Sequence, residues 1–299
     1  MAVPAGMISR TPTYHDTEAG YILPNDPAEH KRLIDQSNAL VALMKDRIIH
    51  APLTNPRVIL DMGCGTGIIT RYFALRFPTA QVYGIDLCPV PSEPTDVTTK
   101  NLTFIKGNFR KSAGRDERLQ WGSLDYFFSR LLLDGMTDWP GYVKDAYKML
   151  RPGTWAELSD YVEDCFYEDN RIVPREAWPW QKAIREGGFK QGLDLDAGWT
   201  IKRYMEDAGF VNIQRWEYRV PYWRGALKER PEATRMTEHA IGDRWGLYWH
   251  MIPKLVEPLG LSEEVVDGFR RDAVRDLGEE EGKYQVVTVT IGRKPETSA

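Results

Sequence analysis

Two acidic residues stand at the ends of two short apolar runs, with a glycine turn between them. The first is Asp61, within Arg57-Val-Ile-Leu-Asp61-Met-Gly63-Cys64-Gly65-Thr66-Gly67. The second is Asp86, which closes Gln81-Val-Tyr-Gly-Ile-Asp86. The turn reads G-x-G-x-G, not the G-x-G-x-x-G of a dinucleotide site. Glycine has no Cβ, so such a turn bends sharply and lets backbone approach a ligand closely. A carboxylate at Asp61 would repel a pyrophosphate but help hold an ammonium or sulfonium. A strand-end acid at Asp86 is placed to take both hydroxyls of a ribose. Together they predict a site for an adenosine that carries a positive charge.

These residues need an α/β frame to meet. Val58, Ile59 and Leu60 suit a parallel strand covered on both faces. Ile68 to Phe77 reads as the following helix, with its free N–H groups aimed over the turn. Leu102 to Ile105 is the third predicted strand, followed by Gly107-Asn108-Phe109. Leu124 to Arg130 is the fourth, and Ser129-Arg130-Leu131 falls at the carboxyl edge, where open α/β sheets bind ligands. Trp139 to Leu150 is a helix with Val143, Ala146, Tyr147 and Leu150 inward. Pro152-Gly153 then turns into a fifth strand, Thr154 to Ser159, which leaves Asp160 and Tyr161 emerging at the same edge.

The Asp-Met-Gly-Cys-Gly-Thr-Gly run with Asp86 resembles the class I S-adenosylmethionine (SAM)-dependent methyltransferases. Further stretches resemble the fungal LaeA-like group: Tyr21-Ile-Leu-Pro24-Asn-Asp26-Pro-Ala-Glu29-His-Lys-Arg32-Leu, Asp86-Leu87-Cys-Pro89, Asp138-Trp139-Pro140, Leu150-Arg-Pro152-Gly153 and Ile291-Gly-Arg-Lys294-Pro295. They run from about Tyr21 to Pro295, nearly the whole chain. The resemblance implies a Rossmann-like fold: a seven-stranded, mostly parallel sheet with an antiparallel last strand, an N-terminal helical lid and helical cap insertions. It implies SAM as cofactor and S-adenosylhomocysteine as product. The implied cofactor residues are Tyr21, Arg32, Asp61, Gly63, Cys64, Gly65, Gly67, Asp86, Leu87, Asn108, Phe109 and Arg130. Asn108 stands where many relatives carry an acid for the adenine amino group, and its amide carbonyl can accept the same bond more weakly. Phe109 flanks the adenine or fills the core. Arg32 pairs with the cofactor carboxylate or forms a surface salt bridge. Thr154 stands where most relatives have a second glycine.

In chain order, residues 1–50 read as an irregular arm and a lid helix. Asp26 caps that helix, Pro27 opens it and Glu29 reaches back to the cap. Residues 51–160 form the cofactor-binding core. Three prolines soon after Asp86 forbid a regular helix there. Residues 161–282 hold two cap insertions around a core helix, Trp199 to Ala208, and a sixth strand, Phe210 to Val220. Trp178-Pro-Trp180 opens a cap helix expected to stop at Gly187-Gly188, and Ser262 caps another, Glu263 to Leu277. Residues 283–299 hold the last strand, Tyr284 to Ile291, and the tail.

The 299 residues suffice for a sizeable core, and 42% apolar with 27% charged is ordinary for a folded soluble chain. The net charge of −4, with basic residues scattered, argues against a nucleic-acid face. Cys64, Cys88 and Cys165 are too few for a disulfide framework and lack metal-ligand spacing, which fits the reducing cytoplasm or nucleus. No apolar run reaches a membrane span, and the first residues lack a signal-peptide plan. No metal is expected. The cap is rich in aromatics, and Trp178, Trp180, Tyr222, Trp223, Trp245 and Trp249 either pack cap against sheet or line a pocket for a flat, apolar or cationic acceptor. Asp160, Tyr161, His239 and His250 are the candidate proton acceptors. The expected activity is O-, N- or S-methylation of a small molecule in fungal secondary metabolism. The alternatives are a SAM-binding regulatory or interaction protein of a multiprotein complex, methylating protein or acting without transfer, or an enzyme using SAM only as a charge.

Overall fold

The computed structural model describes residues 26–91, 99–223, 231–277 and 282–296, with the side chains of 243–246 also outside the description. Tyr21 and the N-terminal arm therefore lie outside the described residues. The first apolar run forms strand β1 (Val58–Met62), buried from Ile59 onward. It is followed by α2 (Ile68–Arg76), preceded in the chain by the lid helix α1 (Pro27–Leu43). Next come β2 (Gln81–Asp86), β3 (Leu102–Lys106), a single turn α3 (Phe109–Ser112), β4 (Leu124–Arg130) and α4 (Trp139–Met149). The remaining elements are β5 (Leu150–Tyr167), α5 (Pro179–Lys190), α6 (Ala197–Ala208), β6 (Val211–Pro221), α7 (Thr234–Val256), α8 (Glu263–Asp276) and β7 (Lys283–Arg293).

The seven strands form one sheet in the order β3-β2-β1-β4-β5-β7-β6. β1 pairs parallel with β2 and β4, and β4 pairs parallel with β5. β7 runs antiparallel to both β5 and β6. The Rossmann-like arrangement expected from the sequence is the one formed. Covering one face, α4 buries Tyr142, Val143, Ala146 and Met149 completely, three- and four-residue spacing that places them on one stripe. Full burial of a side chain the size of Val143 or Met149 stabilises by about 1.5–3 kcal/mol. On the opposite face Phe73 of α2 packs edge-on against Tyr126 and Phe128 of β4. A third cluster joins α1 (Leu40, Leu43) to α7 (Met236, Ala240) and to Val287 and Val289 of β7.

Four local features differ from the sequence reading. β5 does not end at Ser159 but continues to Tyr167, past the expected boundary at 160, because β7 keeps pairing with it through a register shift between Val162 and Phe166. Asp26 does cap α1, accepting from Ala28 and Glu29 N–H at 3.0 Å each. Glu29, however, grips Arg32 rather than returning to the cap. Ser262 stands at the N-cap of α8 without a side-chain capping bond.

The fourth difference has a testable consequence. α5 runs through Gly187-Gly188 to Lys190. A Cβ on Gly187 would overlap the carbonyl oxygen of Leu255, so the glycine is there to let α5 approach the end of α7. Gly187→Ala gains up to about 1 kcal/mol of helix propensity. It forces two backbones apart at a typical overpacking cost of about 1–3 kcal/mol. We expect net destabilisation, seen as a lower urea midpoint at unchanged slope; a raised midpoint would contradict the close approach.

Candidate functional site

A cavity of about 510 Å³ lies over the carboxyl ends of the central strands. Its floor is the glycine turn. Gly63, Gly65 and Gly67 have φ of 68°, 53° and 74°, the left-handed region that L side chains rarely adopt. The turn is stitched to β2 where Gly63 and Cys64 N–H donate to the Ile85 carbonyl at 2.8 and 3.1 Å. A Cβ on Gly63 would overlap Leu132, and one on Gly67 would overlap Phe104.

Asp86 is fixed by two backbone donors, Gly65 N–H to Oδ2 at 2.8 Å and Cys88 N–H to Oδ1 at 3.0 Å. Each oxygen keeps accepting capacity toward the cavity, which Asp86 lines. Asp61 is buried and accepts the Thr70 hydroxyl at 2.6 Å. Burial raises its pKa to about 6, against the pull of the Thr70 bond and the Arg130 charge. A buried carboxylate in that state is stabilised by a cation entering the cavity. Burial, with Asp61 and Asp86 beside it, pushes the Cys64 thiol far up, so it is a small neutral wall residue. Arg130, whose own pKa burial lowers, donates to Ser37 of α1 at 2.6 Å and so ties the lid helix to the end of β4.

Leu87, Asn108 and Phe109 also line the cavity. The Asn108 side-chain oxygen already accepts the Arg110 N–H at 2.9 Å. Phe109 is buried edge-on against Phe127 and Tyr142. Arg32 does not line this cavity: its guanidinium makes two bonds to Glu29, Nε to Oε2 at 2.8 Å and Nη2 to Oε1 at 2.7 Å. It faces a second cavity instead.

That second cavity, about 90 Å³, shares Leu33, Gln36 and Leu131 with the first. The extra length of β5 builds its wall, which carries Asp160, Tyr161 and Glu163. Tyr222 and His239 line it too. The Tyr222 hydroxyl bonds Gln285 and the Tyr248 hydroxyl bonds Glu163. Asp160 is wholly committed to backbone: Oδ2 accepts Leu132 and Leu133 N–H at 2.7 and 3.1 Å, and Oδ1 accepts Tyr161 N–H at 2.9 Å. Its geometry is that of a positioning residue. It holds the loop after β4, in which Leu131 adopts a φ of 59°.

The other expected residues are placed elsewhere. Trp180 is fully buried, stacks on Trp178 at 5.6 Å and donates to Asp276 at 3.1 Å. Trp249 packs under the Arg270 guanidinium, 4.8 Å from its ring centre. Trp178, Trp180, Trp223, Trp249 and His250 line neither cavity. His250 is half-buried, and burial with the Arg270 charge lowers its pKa. The Trp245 side chain lies outside the described residues. Sequence reasoning missed His30 and Ser37, which recur with Leu33 on the cavity-lining face of α1. It also missed Asp134, in the loop after β4.

Among the described residues, no cluster of His, Cys, Asp and Glu fits a metal, and no helix is long and apolar enough to cross a membrane. The sheet order, the G-x-G-x-G turn and the paired strand-end acids define a class I, Rossmann-like methyltransferase domain. A family model described as a methyltransferase domain matches residues 35–215. Over 213 residues the chain is 29% identical to the methyltransferase pytC of Aspergillus terreus, covering 70% of this chain and 63% of that protein. Over 211 residues it is 34% identical to the secondary metabolism regulator laeA of Aspergillus fumigatus, covering 67% and 53%. The solved structure of Haemonchus contortus phospholethanolamine N-methyltransferase 2 shares 16% identity at a TM-score of 0.49, over 87% of this chain and 53% of that one.

The chain belongs to the methyltransferase-domain family, in its LaeA-like fungal branch. The matched region spans 53–63% of the length of these curated relatives. The cofactor of the family is SAM, and the larger cavity fits it: buried Asp61 suits the positive charge, Asp86 the ribose, and the glycine turn the close approach.

Proposed function

We propose that this protein transfers the methyl group of SAM to a small molecule of fungal secondary metabolism, in the cytoplasm or nucleus. The observation that carries the reading is the second cavity, which adjoins the cofactor cavity through Leu33, Gln36 and Leu131 and is roofed by α1 and α7. A space of about 90 Å³ admits a small molecule or one side-chain-sized group.

SAM supplies an electrophilic methyl group. The chain's own work is to bind, align and exclude water, and proximity carries much of such a rate. Asp61 and Asp86 hold the charged and ribose ends, while Arg130 and Ser37 keep α1 closed over them. Tyr161 and His239, both lining the smaller cavity, are proposed to orient the acceptor there. The likeness to a relative named as a secondary metabolism regulator favours a second reading, a SAM-binding regulatory protein that methylates protein or acts without methyl transfer.

Transfer of labelled methyl from SAM into a fungal extract, split by size, separates the two. Label in the small-molecule fraction is the expected result. Label confined to protein would overturn the small-molecule reading, and no label with SAM binding intact would leave the regulatory one.

A further inference from the structure

The smaller cavity carries more acid than its positive groups balance. Asp134, Asp160 and Glu163 line it, against Arg32 and His239. Most of these groups are engaged. Arg32 is forked onto Glu29, Asp160 onto backbone N–H groups, and Glu163 accepts the Tyr248 hydroxyl at 2.6 Å. Asp134 is the exception. Its Oδ1 is shielded from solvent and accepts no hydrogen bond among the described residues. Leaving a buried acceptor unsatisfied is costly, and more so for a charged one. Such a group persists where something else uses it.

We propose that this cavity takes a primary or secondary amine, with Asp134 accepting its N–H hydrogen bond and then its proton. The proposal rests on the methyltransferase reading. An ammonium brought beside a sulfonium meets like charge, and the acidic surplus offsets that repulsion. For the transfer the amine must be neutral, so an amine that arrives as its ammonium first gives one proton to Asp134. Its nitrogen lone pair forms the new N–C bond as the methyl carbon parts from sulfur, the bonding pair staying on sulfur. The nitrogen, now cationic, leaves as the methylated ammonium product, and Asp134 returns its proton to solvent as the product departs. Burial raises the Asp134 carboxyl to about 6, opposed by Arg32 and supported by Glu29, a value suited to taking a proton near neutral pH. The groups facing it are Arg32 and Glu29 from α1, Asp160, Tyr161 and Glu163 from β5, His239 and Tyr248 from α7, and Tyr222 after β6.

Two readouts without turnover test this. In the first, butylamine, butan-1-ol and butyrate are titrated into the full chain without SAM at pH 7.5, followed by ligand-detected NMR. Butylamine should bind at least about fivefold more tightly than butanol, with butyrate weakest. Asp134→Asn should bring amine and alcohol within about twofold. Equal binding in the native chain, or an amine preference that survives Asp134→Asn, would overturn the proposal. In the second, thermal unfolding is compared across pH. A carboxyl whose folded pKa lies above its unfolded value destabilises once pH rises through that window, here from the ordinary aspartate value of 3.8 to about 6. Asp134→Asn should therefore raise Tm by about 2–4 °C at pH 7.5 and leave it unchanged near pH 4. If Asp134 served only as a salt-bridge partner of Arg32, the variant would lower Tm instead. Calorimetry with SAM on the same samples keeps the two readings apart. Intact SAM binding without amine preference removes only the amine, whereas absent SAM binding removes the methyltransferase reading itself.

Discussion

Asp160→Ala should lower stability by about 3 kcal/mol or more, measured as a fall in the urea midpoint. Asp160 is 1% exposed and satisfies Leu132, Leu133 and Tyr161 N–H. Removing its carboxyl orphans those donors, at about 1–3 kcal/mol for each that stays buried. It also frees a loop whose first residue, Leu131, sits at a φ of 59°, a conformation costing a non-glycine residue about 1–3 kcal/mol and held only by its surroundings. Relief of that strain and of the ionisation cost offsets part of the loss, since burial raises the Asp160 pKa to about 8. Asp160→Asn keeps an acceptor of similar shape and should lose less than half as much. A midpoint change below about 1 kcal/mol in Asp160→Ala would mean that the loop after β4 is held by other contacts.

The same residue shows where the sequence was readable. Local chemistry was: the glycine turn needs positive φ, and the acids at Asp61 and Asp86 stand at the carboxyl ends of the adjacent strands β1 and β2. These facts depend on neighbours within a few positions. What depended on distant partners was hidden. The continuation of β5 to Tyr167 is set by β7, more than a hundred residues away in the chain. That continuation moves Asp160 from an expected proton acceptor to the strut of a loop. Trp180 carried no local sign that Asp276 and Tyr248 would bury it between cap helices, with Trp178 stacked on it. The charge of Arg32 reads equally as a partner for a cofactor carboxylate or for a salt bridge, and only the folded chain shows that Glu29, one turn back, takes the guanidinium. Asp134 follows a leucine run with no motif around it, and only the folded chain shows its shielded, unbonded oxygen.

Asp86→Ala should weaken SAM binding at least about tenfold by calorimetry, a loss of about 1.4 kcal/mol. Hydrogen bonds to a charged acceptor contribute about 1.5–3 kcal/mol each. A carboxylate placed to take two ribose hydroxyls can therefore lose more than tenfold when removed. The geometry adds a second route to the same loss. Asp86 holds the Gly65 N–H at 2.8 Å and the Cys88 N–H at 3.0 Å, so it also fixes the turn on which the cofactor rests. Asp86→Asn separates the routes: one amide oxygen preserves a single backbone bond and part of the turn, but the charge that strengthens both ribose bonds is gone. An intermediate loss in Asp86→Asn indicates that charge and turn each contribute. Equal losses assign the effect to charge. Unchanged affinity in a folded Asp86→Ala would remove the ribose contact and leave Asp61 as the acid that recognises the cofactor.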